Sequence, residues 1–225
     1  MLVFGGRLGT DLDHCNFTNT VLGLDLAEVS KGDAPTGSWQ GLAPMKCARA
    51  SFAHLVLDNK VYVFGGIGGS QEEQINESAI ITPVLSSPIA EVYDPIEDTW
   101  EEVKLETFYN DRKVDTIGGL AAFGWTALKT SLLIVGGTNG DVLTDNIWKV
   151  NFKDKTMKHE GEPLSDNTGM CSVVYNSDDK NTYIYGGYNS AGRKFQRFGT
   201  GAFIEDKWRV NLFYDFASYP YTYFK

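Results

Sequence analysis

Val61-Tyr62-Val63-Phe64-Gly65-Gly66 is the stretch that decides how this chain is read. An unbroken run of β-branched and aromatic residues fits a strand buried on both faces. The glycine pair that closes it has no side chain to clash at a packed strand end and has free access to positive φ. The same arrangement recurs at Met1-Leu2-Val3-Phe4-Gly5-Gly6, Leu132-Leu133-Ile134-Val135-Gly136-Gly137 and Thr182-Tyr183-Ile184-Tyr185-Gly186-Gly187. A single copy would say little. Four copies make an internal repeat, and a repeat sets the architecture.

Outward from the second copy, a whole unit can be traced. Ser51-Phe52-Ala53-His54-Leu55-Val56-Leu57 reads as a first strand, joined through Asp58-Asn59-Lys60 to the glycine-pair strand as a hairpin. After a long polar excursion, Glu91-Val92-Tyr93 reads as a third strand. Asp94-Pro95 opens a solvated turn, and a fourth strand starts at Trp100.

A hydrophobic run, a double glycine, then a tyrosine and a tryptophan seven positions apart resembles the kelch repeat, carried here by Gly65, Gly66, Tyr93 and Trp100. The other units match more loosely. Val150 and Met157 take the tyrosine and tryptophan places in the third, after Gly136 and Gly137. In the first, Leu24-Asp25 stands for Tyr-Asp, and Trp39 follows only after an insertion. In the fourth, Trp208-Arg209-Val210-Asn211 mirrors Trp148-Lys149-Val150-Asn151, with no later tryptophan.

The resemblance implies an all-β fold, a kelch-type β-propeller of about four four-stranded blades. The units run over about 1–48, 49–115, 116–165 and 166–225. It makes Gly5, Gly6, Gly65, Gly66, Gly136, Gly137, Gly186, Gly187, Tyr93, Trp100, Trp148 and Trp208 structural residues. The chain opens on a glycine-pair strand with no first strand ahead of it, and it closes on the aromatic run Phe213-Tyr214-Asp215-Phe216-Ala217-Ser218-Tyr219-Pro220-Tyr221-Thr222-Tyr223-Phe224-Lys225. That tail either supplies the fourth strand of the last blade or folds back on the first, and Pro220 argues against a central strand position. An incomplete ring, a fragment of a larger propeller, or a chain completed by another chain are therefore all expected alternatives to a self-closed ring.

Composition narrows the function classes. A formal net charge of -9 makes phosphate-driven nucleic-acid binding a poor fit. No apolar run reaches the length of a membrane span, and MLVFGG lacks the marks of a secretory signal. Cys15, Cys47 and Cys171 are scattered and odd in number, which points to a reducing, cytoplasmic compartment rather than a disulfide framework.

Loop lengths point to one face. In an up-and-down blade with strands a to d from the axis outward, b–c and d–a connections share a face. The segments 67–89 and 188–206 read as b–c loops and 104–118 as a d–a loop, so all fall together; the insertion 26–38 lies opposite. Long loops clustered on a rigid scaffold are where binding is built.

Catalytic chemistry is hard to find. His14, His54 and His159 stand on different units without metal-ligand spacing, and no cofactor is expected. The sequence carries neither a Gly-x-Ser-x-Gly elbow nor a phosphate loop after any glycine pair. What remains are contact residues. Arg49 stands where kelch repeats carry an arginine at the start of the first strand, and the resemblance implies either a mouth-lining guanidinium that recognises carboxylates or a hydrogen-bonding arginine between blades. Arg193, Lys194, Phe195, Arg197 and Phe198 form a basic-aromatic cluster in an acidic chain, and Tyr109 and Arg112 stand in the link between the second and third units.

These readings point to a protein-interaction module or scaffold, binding a protein partner through its long loops, and away from an enzyme. Two alternatives stand beside it. One is a small sugar-epimerase-like propeller enzyme with a pocket at the mouth, which would need a deep axial pocket with converging charges. The other is a structural subunit of a larger assembly.

Overall fold

The computed structural model describes residues 1–8, 16–26, 38–69, 89–115, 119–139, 142–161, 164, 167–187, 197–204 and 207–215; for Leu8, Asn16, Gly69 and everything from 197 onward it describes the backbone alone. Every element among them is a strand.

The chain begins with β1 (Leu2–Phe4), β2 (Arg7–Leu8), β3 (Asn16–Phe17), β4 (Val21–Gly23) and β5 (Gln40–Leu42). β1, β4 and β5 make a three-stranded antiparallel sheet in that order. Next come β6 (Ala48–Ala50), β7 (Ala53–Leu57), β8 (Lys60–Phe64), β9 (Ile67–Gly69), β10 (Ala90–Asp94) and β11 (Thr99–Glu102). Here β7, β8, β10 and β11 form the complete a-to-d sheet expected of the second unit. β12 (Glu106–Tyr109) and β13 (Arg112–Val114) follow, then β14 (Gly124–Ala127), β15 (Ser131–Val135), β16 (Ile147–Asn151) and β17 (Thr156–His159). The last sheet is β18 (Ser172–Tyr175), β19 (Thr182–Tyr185), β20 (Arg197–Ile204) and β21 (Lys207–Asp215), in sequence order.

The four sheets are successive blades, and each buries apolar side chains against the next. Val21, Met45, Val61, Val63, Tyr93 and Trp100 make the core between blades one and two, with Leu2, Phe4 and Phe52 packed on it. Phe64, Leu55, Ile134, Trp148 and Met157 lie between blades two and three. Leu133, Val135, Cys171, Val173 and Ile184 lie between three and four. Trp100 packs on Tyr93 across the sheet, rings tilted at 5.1 Å between centroids, and its indole N–H donates to the carbonyl of Ala43 in the preceding blade at 2.9 Å. Met157 faces Val150 in the same register, the substitution read from the pattern. Trp39, by contrast, is 44% exposed and anchors nothing comparable.

The glycine pairs are what join the blades. The second glycine of each of the first three pairs donates its N–H across to the linker of the following blade: Gly6 to Arg49 O at 2.8 Å, Gly66 to Leu120 O at 2.9 Å, Gly137 to Thr168 O at 2.8 Å. The first glycine sits at φ near +63° and packs so tightly that a Cβ on Gly136 would meet Thr168 O at 2.0 Å and one on Gly65 would meet Leu120 O at 2.6 Å. A left-handed conformation with backbone at that distance admits only glycine.

Three expectations are corrected. The link 104–118 is not a loop: β12 and β13 form a hairpin, and β12 pairs parallel with β17, giving blade three a six-stranded sheet. A turn at Asn110-Asp111, with both φ positive, makes the hairpin. In blade four the c strand is β20 rather than a strand at Trp208; Trp208 lies on the outermost strand, opposite Phe203. The two runs on either side of residues 205–206 pair with each other as a hairpin. Finally, the excursion after Gly66 does not begin as loop: β9 pairs with β6, as β2 pairs with β3.

Candidate functional site

The mouth of the fold is built just past the first three glycine pairs. β2–β3 and β6–β9 are short antiparallel ribbons there, and in blade three the bridges Ala121↔Thr138 and Thr138↔Leu143 hold the equivalent place. Arg49 lies in the β6 strand, opposite Gly68. Its side chain is 0% exposed. The guanidinium donates to Glu91 Oε1 at 2.6 Å, to the carbonyl of Gly65 at 2.8 Å and to that of Ile89 at 3.2 Å. Glu91, equally buried, also accepts the backbone N–H groups of Lys46 and Cys47. Arg49 is therefore the hydrogen-bonding arginine of its two readings. It ties the linker between blades one and two to strands b and c of blade two, and offers no open guanidinium to an acidic ligand. Glu91 was the residue that sequence reasoning missed; its place one step into a strand, where blade three carries Trp148, is the signal that a charge there needs a buried partner.

A cavity of about 750 Å³ opens beside blade one. Leu2, Val3 and Phe4 form one wall; Phe52, His54, Val56 and Trp125 form the other. No aspartate, glutamate, lysine or arginine is among its lining residues. His54 is held edge-on between Trp125 at 4.9 Å and Phe4 at 6.1 Å, and burial pushes its pKa below the ordinary histidine value. The cavity therefore offers apolar contact and one neutral imidazole.

Tyr109 and Arg112 face each other across the β12–β13 turn at the outer rim of blade three, not at the mouth. The Tyr109 ring stacks on His159 at 4.3 Å and packs on Trp148 at 5.8 Å. His159 Nε2 is 3.2 Å from Asn146 Oδ1. Burial pushes the His159 pKa down, with Asp145 opposing. Arg112 is exposed on the second hairpin strand. Of the basic-aromatic cluster, Arg193, Lys194 and Phe195 lie outside the described residues. Arg197 and Phe198 lie in β20 rather than in a loop, opposite Asp215 and Tyr185 respectively. The expected contact residues are thus not brought together in one place by the described structure.

Among the described residues no group of three His, Cys, Asp or Glu side chains is placed to hold a metal ion. Cys171 is buried and its thiol is pushed up to about 11 by that burial, which removes it as a nucleophile at neutral pH.

No protein-family model matches the chain. Among curated proteins it is similar to an F-box/kelch-repeat protein of Arabidopsis thaliana, 38% identical over 77 residues, which is 34% of this chain and 19% of that protein. It is similar to the N-acetylneuraminate epimerase of Salmonella typhi, 28% identical over 116 residues, covering 50% of this chain and 25% of the epimerase. A stretch of 174 residues is 25% identical to the flagellar outer-arm dynein alpha chain of Chlamydomonas reinhardtii, covering 76% of this chain and 3% of the dynein chain. The chain thus spans no more than about a quarter of each of these three relatives. Among solved structures, that of YjhT, a kelch-type propeller, superposes with a TM-score of 0.63 at 16% identity, over 92% of this chain and 63% of that one.

Proposed function

From the premise that this chain belongs to the kelch-repeat family, we propose that it works as a protein-interaction module without catalysis, binding a protein partner on the face from which the segments 70–88 and 188–196 depart. The observation that carries this reading is the state of the charged groups at the mouth. Arg49 and Glu91 are consumed by each other and by backbone, and the cavity beside blade one carries no Asp, Glu, Lys or Arg in its lining. What the scaffold leaves for recognition are its long connections, on a base stiffened by β2–β3 and β6–β9. Similarity to F-box/kelch-repeat proteins supports the same reading. The basic-aromatic residues Arg193, Lys194, Phe195, Arg197 and Phe198 are its contact set, and an acidic surface on the partner is their complement. The reading places the chain in the cytoplasm, and Cys47 and Cys171, both buried and neither in a disulfide, support a reducing compartment.

A second reading, a sugar epimerase, is favoured by the similarity to N-acetylneuraminate epimerases. The two separate cleanly. In-cell cross-linking followed by mass spectrometry of the natural protein and of an Arg193→Glu/Lys194→Glu/Arg197→Glu variant tests the first: a partner captured by the former and lost from the latter is expected. Anomer interconversion of N-acetylneuraminate followed by NMR tests the second. Acceleration by the natural protein would overturn the interaction reading.

A further inference from the structure

We propose that the outer half of the junction between blades three and four is a docking cleft for an extended acidic segment of a protein partner, held by Lys149, Lys158 and Lys113. The surface lies on the flank of the fold, apart from the loop face above, and stands on different observations.

The first observation is the difference between two successive junctions. Blades two and three pack together out to their outer strands: Tyr62 and Val92 of blade two lie on the core that holds Trp148, Val150 and Met157 of blade three. Strand register gives the same positions in the next junction. Lys149 pairs with Leu133 as Val92 pairs with Tyr62. On blade four, Gly199 pairs with Ile184 as Trp148 pairs with Ile134, and Gly201 pairs with Thr182 as Val150 pairs with Leu132. A lysine thus stands where the earlier junction has valine, and two glycines stand where it has tryptophan and valine. Among the described residues, the core between blades three and four reaches Ile147 on β16 and takes nothing from β17. Sheets packed face to face lie about 10 Å apart, and glycine on one wall leaves much of that width open.

The second observation is the charge of the other wall. On the face that carries Leu133, successive strands bring Lys149, Lys158, Phe108 and Lys113 into one row. Lys149 and Lys158 stand directly opposite each other, a like-charge pairing that is destabilising and that an anion between them relieves. Blade two has Val92 and Glu101 at the corresponding pair. Lys158 is exposed, with its Nζ over the Phe108 ring at 5.8 Å. Two carboxylates share the face: Glu106, 2.6 Å from Lys113, and the buried Glu160, two residues beyond Lys158. On the blade-four wall Arg197 stands opposite Asp215. Residues 104–114 and 149–159 together hold seven Lys or Arg against three Asp or Glu, in a chain of net charge -9.

Spacing gives the form of the occupant. Neighbouring strands lie about 4.8 Å apart, so Lys158 is about 5 Å and Lys113 about 14 Å along the row from Lys149. Side chains on one side of an extended chain repeat about every 6.8 Å. Carboxylates at every second position therefore meet the lysines, and the stretch before the third passes Phe108. This chain is a poor source of such a segment. Residues 216–225 contain no Asp or Glu. Glu162 and Asp166 belong to a link whose described residues Leu164 and Thr168 bond to Asp145 and Thr144, ahead of β16. Glu205 and Asp206 follow the end of β20, which is three residues beyond Gly201. The net charge disfavours a nucleic acid.

The test uses the chain 1–225 and a fluorescein-labelled peptide, Gly-Glu-Thr-Glu-Thr-Glu-Gly. Saturable binding by anisotropy is expected, weakening at least about tenfold from about 50 to about 300 mM salt. Lys149→Glu/Lys158→Glu is expected to weaken it at least about tenfold. Lys153→Glu/Lys155→Glu makes the same charge change at the turn between β16 and β17 and is expected to bind within about twofold of the natural chain. Lys158→Glu alone, at an exposed position, is expected to weaken binding at least about threefold with its thermal transition kept, which covers a double variant that does not fold. Lys158 is expected to react readily with acetic anhydride in the free chain and to be protected by the peptide. Absence of saturable binding, or equal binding by the two double variants, overturns the proposal. So does protection of Lys158 without peptide, because the chain or a second copy then already fills the cleft. Tighter binding of an oligothymidine than of the peptide overturns it as well. Each of these outcomes leaves the loop-face reading standing, since that reading is tested by changes at Arg193, Lys194 and Arg197.

Discussion

Arg49 Nη2 and Glu91 Oε1 lie 2.6 Å apart with both side chains wholly removed from solvent. The pair sits at the join of blades one and two, and each group also makes two hydrogen bonds with backbone. Removing one partner leaves the other as an uncompensated buried charge, which typically costs about 3–5 kcal/mol. Arg49→Ala and Glu91→Ala are each expected to lose that much in urea unfolding. Arg49→Met/Glu91→Leu, which removes both charges and keeps volume, is expected to lose less than either single change. A pair of single changes near zero would show that the ion pair is dispensable.

Gly136→Ala is expected to be worse than a glycine-to-alanine change in an open loop. The residue holds φ +63° and the added Cβ would meet Thr168 O at 2.0 Å. The substitution therefore combines a left-handed alanine with a backbone collision, and destabilises by more than about 1 kcal/mol. Gly6→Ala serves as the control: it has φ +115° but nothing within 4 Å of its Cβ. Thermal unfolding of the two variants side by side separates strain from collision.

Tyr109→Ala is expected to loosen the hairpin without unfolding the blades. The ring contact with His159 contributes about 0.5–1.5 kcal/mol beyond its buried area. A double-mutant cycle with His159→Ala reads that coupling directly. Hydrogen exchange should accelerate in 106–114 and leave β14 to β16 unchanged. Acceleration throughout blade three would mean that the hairpin is part of its core.

Stability should fall on mild acidification. Burial lowers the pKa of His54 and of His159 below the ordinary 6.5. Among the described residues His159 Nδ1 has no hydrogen-bond partner, so a second ring proton there has no acceptor to meet. The unfolded chain then binds more protons than the folded one as pH drops. The contribution of the neutral rings is complete above 6.5 and is lost as pH falls through the lower folded values. Asp94 and Asp179, held below 3.8 by hydrogen bonds from Lys60 and Tyr183, act only in more acid solution. His54→Phe and His159→Phe should each flatten the slope of unfolding free energy between neutral pH and the carboxylate range; an unchanged slope would refute the assignment.

The glycine pairs made the blades legible because they recur in all four units, and the tyrosine–tryptophan spacing of the second unit showed where its outer strands pair. Trp100 and Met157 could be placed from spacing alone. Arg49 could be located but not oriented, since only the position of Glu91 in the fold reveals that its charge is already matched. The β12–β13 hairpin was hidden for a different reason. Its sequence is charged and short of β-branched residues, and its partner β17 lies more than forty positions later. Pairing at that separation leaves no local period to read. The end of blade four was misread because Trp208 has neighbours like those of Trp148, whereas its place in the sheet is set by the hairpin it makes with Phe203.

The hairpin on β17 also bears on how such a chain can be rearranged. A blade is often treated as a cassette that can be copied, moved or deleted as a block. Here the edge of the third is finished by residues 106–114, which precede it in the chain and follow directly on the second. Duplicating the second cassette alone would produce a spare hairpin with no β17 to receive it, and deleting it with its tail would leave β17 bare. Any lineage that gained or lost blades at this point had to handle the two as one block, and an engineer grafting them must do the same.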